Sequence, residues 1–276
     1  MAIVIAVMNQ KGGAGKTTVA QHLSAVWQAQ GKNVLLIDAD EQGNAISWFH
    51  LRKQNSNLSL SHYGPVLRRR YEMDDEWHGQ TIAEKTPETV ACLGGVELLD
   101  LVRAEREHRD IIVIDCPPRL GEEQQSAMLA ADTVVLPIVP GQNSIDSSVK
   151  ATRTIALWCQ HLRSHGLESL PSFLFLMNMV RKPSAVKHRL AVRKMAEALR
   201  ATGQTAVHAA VELSDRKDDL DACSGDGSLI IDESKLSELT AQFFQLASEV
   251  LENAQERNQR LPDRRTGQSS RTHDAA

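Results

Sequence analysis

Cysteine is sparse. Cys92, Cys116, Cys159 and Cys223 form no C-x-x-C pair and have no histidine at metal-ligand spacing, which argues against a zinc site and a disulfide framework. Such usage suits a reducing cytoplasm. No run approaches the ~20 apolar residues that a membrane-spanning helix needs. Basic charge is not in excess: the formal net charge is -4, so contact with a polyanion would have to come from a local patch. A basic leader is missing too. The opening "AIVIAVMN" runs straight into a glycine-rich loop and reads as a buried strand, not a signal peptide.

What is present is enough for a full core. With 276 residues, 42% of them hydrophobic, the chain is expected to form one large domain. Apolar runs at Ala2–Met8, Val34–Ile37, Ile111–Ile114, Thr133–Pro137 and Phe173–Met177 alternate with stretches long enough for crossover helices. That order predicts an α/β fold: a mainly parallel twisted sheet flanked by helices on both faces. The first helix is expected from Lys16 to about Gln30, stopped at Gly31.

Residues 52–88 break the pattern. They are polar, carry Arg68–Arg70 followed by Asp74, Asp75 and Glu76, and read as a surface insertion with room for one short helix. Their charges suit a solvated face, with partner docking as the sharper alternative. The last periodic stretch, Glu233 to about Leu251, places Leu236, Leu239, Phe243, Leu246 or Ala247, and Val250 on one helix face. One domain is therefore expected over residues 1–251. Residues 252–276 are expected to form a disordered polar tail.

Three motifs carry chemistry. "NQKGGAGKTT" (Asn9–Thr18) sits between a buried strand and a helix. A loop in that position offers backbone N–H groups and a helix N-terminus to an anion. Gly12, Gly13, Ala14 and Gly15 would curl around phosphates. Lys16 would reach the β- and γ-phosphates, Thr17 would place its hydroxyl on Mg²⁺, and Thr18 would donate to the α-phosphate. The usual G-x-x-x-x-G-K-[ST] pattern is broken, because Gln10 stands where the first glycine belongs and an additional lysine, Lys11, follows it.

In "LLIDADEQGN", Asp38 and Asp40 stand just past a strand's C-terminal end, where open α/β sheets bind ligands. Carboxylates there can hold Mg²⁺ or orient an attacking water. In "RDIIVIDCPPRLG" a third strand ends in Asp115, a further candidate for Mg²⁺, and Pro117–Pro118 stiffen the segment that follows.

Together these residues resemble the ParA/MinD family of deviant Walker A ATPases. The family's loop reads K-G-G-x-G-K-[ST], and Lys11–Thr17, "KGGAGKT", matches it at every specified position. The resemblance implies ATP and Mg²⁺ as cofactors, ATP hydrolysis, and a nucleotide-sandwiched homodimer in which Lys11 reaches the partner's phosphates while Lys16 serves its own. The second motif, commonly D-x-D-P-Q-x-N, is kept apart from Glu41 in the proline position. It implies Asp40 as the water-positioning residue and Asp38 as a Mg²⁺-side carboxylate. "DCPP" (Asp115–Pro118) matches the third motif, and Asn178 falls where the family contacts adenine. The resemblance runs from Met1 to about Leu251, apart from the insertion.

Within the family, the residues favour the ParA branch. The end of the chain has Leu261 as almost its only large apolar residue, too little for a MinD-like membrane helix. An iron–sulfur relative would need bridging cysteines, and Cys116 fits the ordinary third motif. A tyrosine-kinase relative would need a tyrosine cluster, whereas Tyr63 and Tyr71 are the only tyrosines.

The ParA branch binds nonspecific double-stranded DNA. Arg181, Lys182, Lys187, Arg193, Lys194, Arg216 and Lys217 are the candidate contacts. A helix opening near Ser184 would turn Val186, Leu190, Met195 and Leu199 to the core and Lys187, Arg193, Lys194 and Arg200 outward. With the first strand starting at Ala2, no DNA-reading domain is expected before the loop, as in the small ParA type.

The resemblance thus implies a cytoplasmic, nucleoid-associated ATPase. It would partition plasmid or chromosomal DNA with a ParB-like adaptor that stimulates hydrolysis. The alternative is an ATP-gated scaffold positioning a protein complex or organelle.

Overall fold

A computed structural model describes residues 1–40, 42–55, 66–68, 94–119, 121–167, 169–181 and 186–260. In chain order these form β1 (Ile3–Val7), α1 (Lys16–Ala29), β2 (Val34–Asp38), α2 (Asn44–Gln54), β3 (Val66–Arg68), α3 (Gly94–Glu105), β4 (Ile111–Asp115), α4 (Glu122–Ala130), β5 (Thr133–Ile138), α5 (Gln142–Ser164), β6 (Ser172–Val180), α6 (Val186–Ala201), β7 (Ala206–Ser214), α7 (Lys217–Asp226), two 3-10 turns (Ile230–Asp232 and Ser234–Leu236) and α8 (Ser237–Arg260). The strands make one sheet in the order β3-β2-β4-β1-β5-β6-β7, every pair parallel.

Strands covered on both faces need apolar residues at every position, and β2 and β4 are buried throughout. Their alternate side chains feed two cores. Val34, Leu36, Ile111 and Val113 join residues of α1, α2 and α8 on one face. Leu35, Ile37, Ile112 and Ile114 join residues of α3, α4, α5 and α6 on the other. The connections α1 and α2 carry the chain toward the β3 edge, while α3 to α6 carry it back toward β7. A single crossover hand places those two sets on opposite faces, as observed.

Two polar knots fasten this frame. Asp132, buried at the head of β5, accepts the Val4 N–H at 2.9 Å, the Arg106 guanidinium at 2.7 and 2.8 Å, and the Arg257 guanidinium at 2.7 Å. It thereby joins β1, the end of α3, and α8. Arg52 of α2 is fully buried and pairs with Asp232 at 2.6 Å. Beside it Gly227 has φ +77, and a Cβ there would meet the Arg52 backbone N at 2.2 Å, so only glycine fits.

Four features differ from the sequence expectations. β7 adds an edge strand that the apolar pattern does not announce, because His208, Ala210, Glu212 and Ser214 interrupt it. Within residues 52–88 the structure describes the end of α2, Asn55 and an edge strand, β3; the rest lies outside the described residues. α8 runs on to Arg260, with Asn253 and Ala254 buried and Arg257 tied to Asp132, so the chain just beyond Leu251 is helix and not tail. Residues 261–276 lie outside the described residues.

The fourth is a correction. Val186 and Leu190, expected on the core side of α6, are 68% and 56% exposed. The buried stripe is Val192, Met195, Ala196 and Leu199, which starts a turn later because the first turns of α6 extend past the cover of the neighbouring elements.

Removing Asp132 leaves two guanidinium groups and a strand N–H without their shared acceptor. Asp132→Ala is therefore expected to cost about 3–5 kcal/mol of unfolding free energy, read from urea denaturation. A loss under ~1 kcal/mol would show that the knot is not stabilising.

Candidate functional site

The parallel register brings the ends of three central strands side by side: Val7 pairs with Asp115, and Asp115 with Asp38. The glycine loop leaves β1 at this edge. Gly13 and Gly15 take positive φ values of 72° and 82°, which turn the chain into the N-terminus of α1. Gly12 and Gly13 are exposed and have nothing within 4 Å of a built Cβ, so the front of the loop is open to a ligand.

Behind the loop the space is closed. The Asn178 side chain donates from Nδ2 to the Ala14 carbonyl at 2.9 Å and accepts the Met179 N–H at 3.0 Å. A Cβ on Gly15 would lie 2.4 Å from that Nδ2. Asn178 thus clamps the loop, with both ends of its amide engaged, where the family likeness assigns it to adenine.

Lys11 and Lys16 sit in different surroundings. Lys11 is half-buried at the front of the loop, and its N–H donates to Asn9 Oδ1 at 2.9 Å. Lys16 is 7% exposed. Burial lowers its pKa, opposed by Asp115 and then Asp40. Thr17 and Thr18 are half-buried in the first turn of α1.

The three carboxylates also differ. Asp38, fully buried, accepts the N–H groups of Ala45 at 3.0 Å and Ile46 at 3.2 Å on one oxygen and that of Asp40 at 3.2 Å on the other. It satisfies the N-terminus of α2 and shapes the turn that carries Asp40. These bonds leave it less free for the Mg²⁺-side role than the motif suggests. Asp40 is 8% exposed, and its Oδ1 accepts the Gln42 N–H at 3.1 Å. Glu41 lies outside the described residues.

Asp115 is the outlier. Both its oxygens are buried without a well-formed hydrogen bond, and its pKa is pushed up to about 8, first by burial and then by Asp38, against the pull of Thr17 and Lys16. A buried carboxyl without a well-formed hydrogen bond, beside a buried ammonium and an open loop, fits a divalent cation that keeps most of its ligands from phosphates and water. Among the described residues no cluster of three or more His, Cys, Asp or Glu could hold a metal by itself.

Two supports went unpredicted. Asn9 donates from Nδ2 to the Pro137 carbonyl at 2.5 Å while its Oδ1 holds the Lys11 N–H, and Gln124 donates to the Pro117 carbonyl at 2.5 Å behind "DCPP". The Asn9 bond is a two-residue asparagine turn, legible in sequence once the strand end is known. The Gln124 bond has no local signal.

The basic candidates divide. Lys187, Arg193 and Lys194 are exposed on α6 and make no ion pair among the described residues. Arg181 is bonded to Asp215, and Arg216 to Asp219 at 2.8 Å. Arg216 and Lys217 stand among Asp215, Asp218, Asp219 and Asp221, which cancel their field. Lys182 lies outside the described residues, as does Cys92; Cys116 is fully buried. No helix among the described residues is long and apolar enough to cross a membrane.

A family described as an AAA domain matches residues 2–105 and 96–165. The sporulation initiation inhibitor protein Soj of Bacillus subtilis is 31% identical over 177 residues, 59% of this chain and 69% of that protein. The chromosome partitioning protein ParA of Myxococcus xanthus is 33% identical over 58% of this chain and 60% of its own length. For the chromosome-partitioning ATPase Soj of Thermus thermophilus the figures are 37%, 49% and 53%. The matched stretch is thus less than two thirds of the last two.

Among solved structures, an McdA–ATP complex from Cyanothece superposes with a TM-score of 0.63 at 18% identity, covering 91% of this chain and 96% of that one. The MinD cell division protein of Aquifex aeolicus gives 0.61 at 21%, covering 91% and 98%. At these identities the likeness is one of fold.

Asp115 yields a pH prediction. Its folded pKa of about 8 lies above the ordinary 3.8, so between these values the native state holds a proton that the unfolded chain has lost. The nucleotide-free protein then loses stability as pH rises through that window and levels off above it. Asp115→Asn removes the effect. Its stability relative to the parent is expected to grow on the order of 1 kcal/mol per pH unit from pH ~5 to ~8 in urea unfolding. A difference independent of pH would mean that Asp115 is already ionised in the free protein.

Proposed function

The chain belongs to the AAA-domain family and, within it, to the ParA/MinD ATPases, and from that premise we propose that it is a Mg²⁺-dependent partitioning ATPase that dimerises with ATP and binds nonspecific DNA. The observation that carries the reading is the unequal burial of the two lysines in one loop. Lys16 is enclosed beside Asp115 and Asp40, whereas Lys11 stands at the open front.

Lys16 and the N–H groups of Gly12, Gly13, Ala14 and Gly15 would hold the phosphates of their own subunit, with Thr18 on the α-phosphate. Lys11 would reach the phosphates of a second copy closing on the same face. Without it, two γ-phosphate charges meeting at a symmetric interface would repel. Thr17 and Asp115 would hold Mg²⁺, which when bound neutralises phosphate charge as it develops. Asp38 supports from behind, fixing the turn through the Asp40 N–H. Asp40 is left to orient the attacking water.

On α6, Lys187, Arg193 and Lys194 form the DNA face, to which Arg181, Lys182, Arg216 and Lys217 add little because those of them in the described residues are paired or offset by carboxylates. Closing the dimer doubles the face, which makes DNA affinity both ATP-dependent and steep in salt. A ParB-like adaptor on plasmid or chromosomal cargo would stimulate hydrolysis and release, and the protein would work in the cytoplasm on the nucleoid. The ATPase domain spans residues 1–260 in this reading.

The exposed Val186 and Leu190 on the same helix favour a second reading, in which α6 docks a protein and the chain is an ATP-gated scaffold.

Light scattering should show an ATP-induced dimer that Lys11→Ala abolishes while monomeric nucleotide binding persists; an unchanged dimer would remove the role given to Lys11. Retention on duplex DNA should require ATP and fall with salt by roughly 0.9 log units per log unit of salt for each phosphate neutralised. Arg193→Ala/Lys194→Ala should lower that slope. Indifference to DNA in every nucleotide state would decide for the scaffold.

A further inference from the structure

A helix leaves its last carbonyls without partners unless the chain turns back on them. At the end of α5 that turn is complete: the Leu167 N–H donates to the Leu162 carbonyl at 3.0 Å, and the Gly166 N–H donates to that of Arg163 at 2.9 Å. Gly166 has a φ of 81°, the left-handed conformation this closure needs. The backbone that carries His161 and His165 is therefore fixed. α5 starts beyond the C-terminal end of β5 and stops before the start of β6, so its last turn lies at the edge of the sheet opposite the glycine loop.

His161 and His165 are neighbours on one helix face, and both are exposed. Their ring centroids lie 4.3 Å apart with the planes tilted by 51°. Two imidazole nitrogens share one tetrahedral ion when they are about 3.3 Å apart, given metal–nitrogen bonds of about 2.0–2.1 Å. Rings at the observed separation reach that spacing with a small turn about exposed side-chain torsions.

The tautomer of His165 is set as well. Its Nδ1 lies 2.9 Å from the His161 carbonyl oxygen, which can only accept, so Nδ1 carries a hydrogen. Ser164 Oγ donates to the same carbonyl at 2.7 Å and stands 3.3 Å from that Nδ1. In the neutral ring the bare lone pair is thus on Nε2, and donating the other N–H to a carbonyl is what metal-ligating histidines commonly do. The His161 ring makes no hydrogen bond among the described residues and keeps a lone pair of its own.

The surroundings admit a cation. The partial negative charge of the helix C-terminus favours one. Arg163, two residues from each histidine, is on another face, and its guanidinium donates to the Thr202 and Gly203 carbonyls at 2.8 and 2.6 Å. We propose that His161 and His165 form a surface site for an imidazole-preferring divalent transition ion of the zinc class, held between Nε2 of His165 and the His161 ring, with water in the remaining positions. A pair of protein ligands agrees with the absence, among the described residues, of any set of three. Mg²⁺ prefers oxygen ligands, so this site differs from the ATP loop in chemistry as well as in place. The assignment does not depend on ATP hydrolysis or on partitioning.

The test follows the ring nitrogens by NMR in the full chain labelled at histidine, with Mg²⁺ in excess to occupy the oxygen-ligand sites while Zn²⁺ is titrated. The His161 and His165 signals should shift together and saturably, with the ion on Nε2 of His165 and the hydrogen kept on Nδ1. His161→Gln and His165→Gln, both exposed changes, should each weaken binding at the remaining ring at least about tenfold, because either leaves one ligand where two linked ones had acted. The absence of a saturable shift, or two rings that titrate independently so that each variant leaves the affinity of the other ring unchanged, overturns the proposal.

Discussion

Charge taken out of water without balance governs this site. Asp115 and Asp40 face one ammonium, Lys16, Asp38 stands beside Asp115, and all four are buried. At low effective dielectric such an excess of negative charge is costly, and the fold resolves it differently for each group. Asp38 is quenched by three backbone N–H groups. Asp115 has both oxygens buried without a well-formed hydrogen bond, and its pKa is pushed up to about 8. Burial lowers the pKa of Lys16, and Asp115 and then Asp40 oppose the shift. The glycine loop and the Asp115 carboxyl lie on neighbouring strand ends, an arrangement that fits a cation acquired together with a phosphate.

That adjacency comes from topology. The loop after β1 departs toward the β3 edge and the segment after β4 departs toward β7. Their diverging paths open the crevice at the strand ends where open α/β sheets bind ligands. The same all-parallel register sets Val7, Asp115 and Asp38 in one row.

The central sheet was legible because buried parallel strands are continuous apolar runs, and β1, β2, β4, β5 and β6 all carry one. The loop was legible because its glycines and lysines are contiguous. β7 escaped because half of its residues face a groove, which makes its period resemble a polar loop. The first turns of α6 were misread for a related reason: Val186 and Leu190 obey helical spacing, but periodicity marks a stripe without saying where its cover ends. Asn178 and Gln124 act across 164 and 7 residues, and the longer of these bonds follows only from packing β6 beside the loop. The insertion's remainder and residues 261–276 lie outside what the structure describes.

The two polar knots bear on how the site is connected to the rest of the molecule. α2 is an 11-residue rod held at its N-terminus by Asp38 and near its C-terminus by the buried Arg52–Asp232 pair. Arg52 is hemmed in by Gly227, where even a methyl group would overlap its backbone. A rod fixed at both ends cannot absorb a displacement by bending one end loose. Any movement of the segment from Asp38 to Ile46 must either break three hydrogen bonds at Asp38 or be passed to the turn at Gly227–Asp232, on which α8 packs through Thr240 and the Ile230 carbonyl. The stiffness of this helix thus comes from packing at both of its ends.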